Sequence, residues 1–382
     1  MKYVDEFRDG DLARGLARAI AAEARPERRY HFMEFCGGHT HAISRYGIED
    51  LLPENVRMIH GPGCPVCVLP IGRIDAAIHL ARQPGVILCS YGDMLRVPGS
   101  KRTSLLKAKA EGCDIRMVYS TADALRIAAD EPARQVVFFA IGFETTTPPT
   151  AVAIRQARAL GLANFSVFCN HVLTPSAIAN ILDSPEVREL GLVPLEGFIG
   201  PAHVSTVIGS RPYEYFAEEY RRPVVIAGFE PLDVMQAILM LVRQVNQGRH
   251  EVENEFSRAV TRDGNHKAQA LVAEIFELRR SFEWRGLGVV PYSALRIKKE
   301  WAEFDAERRF AVPADSPPDN KACECGAILR GVKKPADCKL FGTACTPETP
   351  MGSCMVSAEG ACAAHWTYGR FRSTAATTRN SR

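Results

Sequence analysis

The chain has no long apolar run. Its longest stretches, such as Val136–Ile141, fall far short of the ~18 residues that a membrane-spanning helix needs. The first residues, Met1-Lys2-Tyr3-Val4-Asp5-Glu6, carry acids where a signal peptide needs an apolar stretch, so a cytoplasmic location is expected. Charge of one sign is missing too. Against 44 Asp and Glu stand 47 Lys and Arg, and a net charge of +3 is too small to imply nucleic acid or a membrane surface as a partner. No internal repeat is convincing; the echo between Gly142-Phe143-Glu144 and Gly228-Phe229-Glu230 is only suggestive. With 46% apolar and 24% charged residues, the composition excludes disorder, collagen and coiled coil, and 382 residues suffice for two or three domains.

Cysteine, by contrast, is plentiful. Six of the twelve (Cys36, Cys64, Cys67, Cys89, Cys113, Cys169) are spread over the first 322 residues, and six (Cys323, Cys325, Cys338, Cys345, Cys354, Cys362) fall within 40 residues near the C-terminus. In a reducing cytosol, clustered cysteines are more often metal ligands or redox-active thiols than structural staples.

Short β-rich runs alternate with helical stretches over most of the chain. Strands are predicted at His31–Phe35, Val56–His60, Val86–Ser90, Ile115–Tyr119, Val136–Ile141, Ser166–Asn170, Gly197–Gly200 and Val224–Gly228. Several are continuously apolar, as expected of strands buried on both faces of a parallel sheet. Helices are predicted between them at Arg73–Gln83, Lys101–Glu111, Ala122–Asp130 and Thr150–Leu160, which argues for doubly wound α/β domains with two sheets. A first helix is expected at about Asp11–Ala24. Leu232–Val245 and Lys267–Phe282 read as long amphipathic helices, and the turn-rich segment 313–319 as a linker before the cysteine-rich tail.

In open α/β sheets, ligands bind beyond the carboxyl ends of strands. The chemically distinctive residues lie there. One strand runs into Cys36-Gly37-Gly38-His39-Thr40-His41, where a thiolate held near an imidazole would be a good nucleophile or soft-metal ligand, helped by a helix N-terminus. Another runs into Gly61-Pro62-Gly63-Cys64-Pro65-Val66-Cys67. Its Cys-x-x-Cys suits a thiol–disulfide pair, or half of a zinc site completed by Cys36 and His39. Glu144 and the threonines after it form a polar loop at a strand end, either a ligand contact or a helix cap. Cys89, Cys113 and Cys169 are expected to be core residues, and His60 and His79 structural.

The tail carries the metal signal. Cys325, Cys338, Cys345 and Cys362 give the spacing C-x12-C-x6-C-x16-C, with no C-x2–4-C pair of the kind zinc modules use. Irregular single cysteines better fit an iron–sulfur cluster, with zinc the weaker alternative. Cys323 and Cys354 remain as alternative ligands or as a thiol pair beside the cluster.

Taken together and in order, the motifs 36–41, 61–67, Gly142-Phe143-Glu144-Thr145-Thr146, Pro201-Ala202-His203-Val204-Ser205-Thr206-Val207-Ile208-Gly209 and the four-cysteine tail resemble the HypD family of hydrogenase maturation factors; so does the opening Met1–Asp9. The resemblance implies two similar Rossmann-like α/β domains, placed at 27–121 and 122–228. A third, mainly helical domain from 1–26 plus 229–382 would hold a [4Fe-4S] cluster. It implies a redox-active scaffold for the iron site of [NiFe]-hydrogenases. That scaffold is complexed with HypC (or its paralogue), served by HypE, which delivers cyanide, and meets the hydrogenase large subunit through HypC. A transient iron carrying cyanide and CO would be bound by Cys36, with His39 beside it, Cys64 and Cys67 as the dithiol/disulfide pair and Glu359 in the segment leading to Cys362. Cys325, Cys338, Cys345 and Cys362 would be the cluster ligands. The alternative is an iron–sulfur-dependent thiol/disulfide reductase that uses the same Cys-x-x-Cys and cluster without Cys36.

Overall fold

The computed structural model describes residues 4–185, 194–313 and 317–370. Among them, nine strands build two parallel sheets: β1 (Tyr30–Glu34), β2 (Val56–His60), β3 (Val86–Ser90), β4 (Ile115–Met117), β5 (Gln135–Gly142), β6 (Phe165–His171), β7 (Gly197–Pro201), β8 (Val224–Ala227) and β9 (Val252–Asn254). The first eight are the runs expected from the sequence; β9, short and polar, gave no strand signal. The apolar β3, β5 and β6 are buried almost throughout, as strands covered by helices on both faces must be.

The expected boundaries at 121 and 228 do not match how the strands pair. One sheet has the order β2-β1-β7-β8-β9 and the other β4-β3-β5-β6. β1 pairs with β2 (Tyr30 opposite Val56) and with β7 (Phe32 opposite Gly197). The chain thus leaves the first sheet after β2, completes the second, and returns at β7. Alternating periodicity reveals that strands exist, but a strand buried on both faces carries no local mark of its partner.

The helix expected at Lys267–Phe282 ends early. His266–Ile275 is helical, after which four short strands, β10 (Phe276–Leu278), β11 (Ser281–Trp284), β12 (Gly288–Pro291) and β13 (Leu295–Ile297), form the antiparallel pairs β10–β13 and β11–β12. Period two wins there: Phe282 and Trp284 point inward while Ser281 is exposed. Among the described residues, 1–26 plus 229–382 remains mainly helical, with these short strands set among the helices. The N-terminal helix Gly10–Glu23 packs on the long helix Pro231–Gln247, where Ile20 shares a core with Val234, Ile238 and Leu241. No helix among the described residues is long and apolar enough to cross a membrane.

The carboxyl ends of both sheets face one space. Tyr213, fully buried, feels the charges of both Glu144, after β5, and Cys36, after β1. Glu359, from the tail, feels both Asp93, after β3, and Glu34, at the end of β1. The tail thus closes the space between the sheets.

Candidate metal and thiol-redox centre

Strand β1 ends in Glu34, a fully buried carboxylate. It accepts hydrogen bonds from the Cys36 backbone N–H (2.9 Å), from His60 Nδ1 (2.9 Å) and from the Thr40 hydroxyl. A buried charge needs such partners; here they also fix the Cys36 backbone and the first turn of helix Gly37–Tyr46. Burial opposes the His60 imidazolium, but the hydrogen bond and charge of Glu34 outweigh it and raise its pKa, the structural role expected of His60. Glu34 was missed in the sequence because an acid closing an apolar strand looks like an ordinary strand end.

Cys36 occupies the N-cap of that helix and remains partly exposed. Desolvation, then the negative charges of Glu359 and Glu34, push its thiol pKa up, while the backbone N–H groups of Gly38 and His39 pull it down. The expected imidazole support is not what the geometry provides. His39 Nε2 lies 3.0 Å from the carbonyl of Ala227 and 2.9 Å from that of Gly228. Burial lowers its pKa, so the ring is neutral and donates to these oxygens. It is the backbone of His39, not its ring, that favours a thiolate on Cys36. The ring packs 4.8 Å from Phe229, which lies 4.0 Å from the exposed His203. A Cβ on Gly38 would stand 2.7 Å from the Phe229 ring, which is why the loop after β8 can seat so closely.

Cys64 caps the short helix Pro65–Val68 and accepts from the Cys67 N–H (3.2 Å). The two cysteines, both buried, are joined as a disulfide with Cα atoms 5.2 Å apart. The tail is fastened to this pair, since Ser353 Oγ donates to the Cys67 carbonyl (2.8 Å). Residue 37 must be glycine because the Glu359 side chain occupies the space of a Cβ there. Partial burial, then the charges of Asp93 and Glu34, raise the Glu359 pKa at this mouth.

All six tail cysteines belong to one neighbourhood. Cys325 interacts with Cys323, Cys354 and Cys362, Cys345 feels Cys323 and Cys362, and Cys338 acts on Cys362. Cys325, Cys345, Cys354 and Cys362 share one core with Cys64 and Cys67. The geometry does not separate the four expected ligands from Cys323 and Cys354. Among the described residues, no group of three or more His, Cys, Asp or Glu has the arrangement of a metal site. The donor chemistry nevertheless fits an iron–sulfur cluster. The thiols are soft and contiguous, and a Cβ on Gly352 would stand 2.5 Å from the sulfurs of both Cys323 and Cys325, a cradle left open by glycine.

Of the three thiols expected in the core, Cys89 and Cys169 are buried, whereas Cys113 is half-buried. Burial raises Cys89 to about 12 and Cys169 to about 11, as core cysteines should be. Glu144 is an anchor: it accepts from the Thr174 N–H (2.9 Å) and hydroxyl (3.0 Å) at the start of helix Thr174–Leu182. Desolvation lifts its pKa to about 7.

The HypD family, described as "Hydrogenase formation hypA family", matches residues 11–369. Similar proteins include the hydrogenase maturation factors HypD of Rhizobium leguminosarum bv. viciae, 75% identical over 97% of both chains, and of Cupriavidus necator, 73% identical over 97% of this chain and 98% of that one. The HypD of Escherichia coli K12 is 45% identical over 96% of this chain and 98% of its own.

Proposed function

The chain belongs to the HypD family of hydrogenase maturation factors, and from that premise we propose that it is a redox-active scaffold. On it, the iron of a [NiFe]-hydrogenase receives its cyanide and CO ligands in the cytoplasm. HypC would share the iron, HypE would bring cyanide, and the large subunit would receive the product through HypC. The observation that carries this reading is the continuity of three sulfur sites. Glu359 of the tail packs on Gly37, next to Cys36, Gly63 beside Cys64 packs on the Cys36 backbone, and the tail's Ser353 is bonded to the Cys64–Cys67 helix.

Cys36 would bind the iron as cargo. A soft thiolate suits low-valent iron with strong-field ligands, and the helix N-terminus, with the amides of Gly38 and His39, favours the anion once a cation has displaced the proton. Glu34 holds the Cys36 backbone in place. Release of cyanide from a thiocyanate, R–SCN + 2e− + H+ → R–SH + CN−, needs two electrons. The dithiol Cys64/Cys67 can supply them by closing to the disulfide and releasing two protons, one of which the leaving thiol takes up. Cys325, Cys338, Cys345 and Cys362 would hold a [4Fe-4S] cluster, with Cys323 and Cys354 beside it. Such a cluster supplies electrons one at a time. A free-standing disulfide reductase has no use for Cys36 at the mouth of the same cleft, which favours the scaffold.

Infrared spectroscopy of the anaerobically purified complex with HypC tests this. Cyanide and CO bands are expected for the wild-type chain and should vanish for Cys36→Ala, with iron and sulfide of the tail retained. Bands that survive Cys36→Ala would sink the ligand assignment.

A further inference from the structure

Arg285 follows strand β11 and is only 3% exposed, although its guanidinium is always charged. Its backbone N–H donates to the carbonyl of Val68 (2.7 Å), at the end of the helix that carries Cys67. The next residue, Gly286, has φ 84°, and a Cβ there would stand 2.6 Å from Gly326 Cα. The corner is therefore pressed against the helix that begins at Cys325. Arg285 stands between the disulfide and the tail thiols, and its charge acts on the sulfurs of Cys323 and Cys354. Together with Cys323 and Cys325 it lines a cavity of about 670 Å³.

The guanidinium is under-satisfied. Nε lies 3.0 Å from Asp319 Oδ1, within ion-pair range but off the line of a hydrogen bond, and Asp319 is 46% exposed, so solvent screens the pair. Among the described residues, Nη1 and Nη2 have no hydrogen-bond partner. A buried cation with idle donors is costly unless an acceptor meets it. The cavity that Arg285 lines also exposes Cys323 and Cys325.

We propose that Arg285 is a positioning residue that sets the reduction potential of the iron–sulfur centre held by the tail cysteines. Its Nη1 and Nη2 groups donate to sulfur there, and its fixed charge favours the more negative, reduced form. Hydrogen bonds to sulfur and nearby charge are general determinants of such potentials. The inference rests on the cluster reading above.

The test uses the full chain, purified anaerobically, with iron and acid-labile sulfide measured first and a potentiometric titration followed by electron paramagnetic resonance second. A wild-type chain without iron and sulfide overturns the cluster reading and this proposal with it. With the cluster present, Arg285→Gln should lower the midpoint potential at unchanged iron content, and Arg285→Lys, which keeps the charge but not the fork, should fall between. Asp319→Asn removes the opposing charge at an exposed site and should raise the potential. An unchanged potential in Arg285→Gln overturns the proposal; where that variant does not accumulate, the absence of a rise in Asp319→Asn does so. A wild-type potential that shifts on adding phosphate, in a manner lost in Arg285→Lys, would assign the guanidinium to a soluble anion in the cavity and also overturn it.

Discussion

Two carboxylates at strand ends play opposite parts, and hydrogen bonding separates them. Glu34 is met by three donors, one of them the amide of Cys36. Replacing it with Gln leaves His60 facing a neutral amide in a buried network. Glu34→Gln should therefore destabilise the fold by about 1–3 kcal/mol, read by urea unfolding, and, on the proposed scaffold reading, weaken iron retention at Cys36, read by iron analysis of the complex with HypC. Wild-type stability in this variant would remove Glu34 from the account. Glu144 has a pKa raised by burial from 4.5 to about 7. Its folded state holds the proton more tightly than the unfolded one, so its contribution is complete below about pH 4.5 and is lost as pH rises through 7. Compared with Glu144→Gln at pH 5, 6 and 7.5, the wild-type chain should lose on the order of 3 kcal/mol of relative stability across that range. A pH-independent difference would contradict this. The cysteines and their strand-end positions were legible in the sequence because chemistry follows residue type. The direction of the His39 ring was not, since a Cys-x-x-His spacing does not say which way the second side chain turns off a helix.

At the scale of elements, the site is made by close approach of loops rather than by any one helix. Gly38 lets Phe229 sit against the start of helix Gly37–Tyr46, and His39 hydrogen-bonds to the carbonyls of the same loop. Gly38→Ala would drive a methyl into the Phe229 ring. The expected cost is about 1–3 kcal/mol of overpacking, and the Cys36 loop should separate from the loop after β8. Weaker complex formation with HypC at preserved iron and sulfide in the tail, measured by co-purification and metal analysis, is the expected signature; unimpaired complex formation would show that the two loops need not touch. The eight apolar strands were legible because β3, β5, β6 and their neighbours are short buried runs between helices. The segment after Ile275 was not, because a helix and a pair of short strands share the same apolar residues until β13 supplies a partner about 20 residues later.

Across the whole molecule, one sheet interrupts the other, and the tail returns to bridge them. Nothing local in β2 or β3 announces that the chain is changing sheets; only the pairing of Phe32 with Gly197 does so. The consequence is mechanical. Ser353 holds the Cys67 carbonyl, Glu359 fills the space over Gly37, and His41 meets Tyr368 with ring centroids 5.3 Å apart. Each contact ties the cysteine-rich tail to an element at the mouth of the cleft, so the tail and those elements should open as one cooperative unit. On the proposed cluster reading, stripping the cluster with a chelator under anaerobic conditions should therefore raise hydrogen exchange at Cys64–Leu69 and Gly37–Tyr46 as well as at the tail itself. Helix Thr121–Asp130 lies far from these contacts in the chain, carries its own capping box and should keep its protection. Exchange that rises only within the tail would mean that the sulfur sites are neighbours without being coupled. Chelation would then leave the Cys64–Cys67 pair as reducible as before.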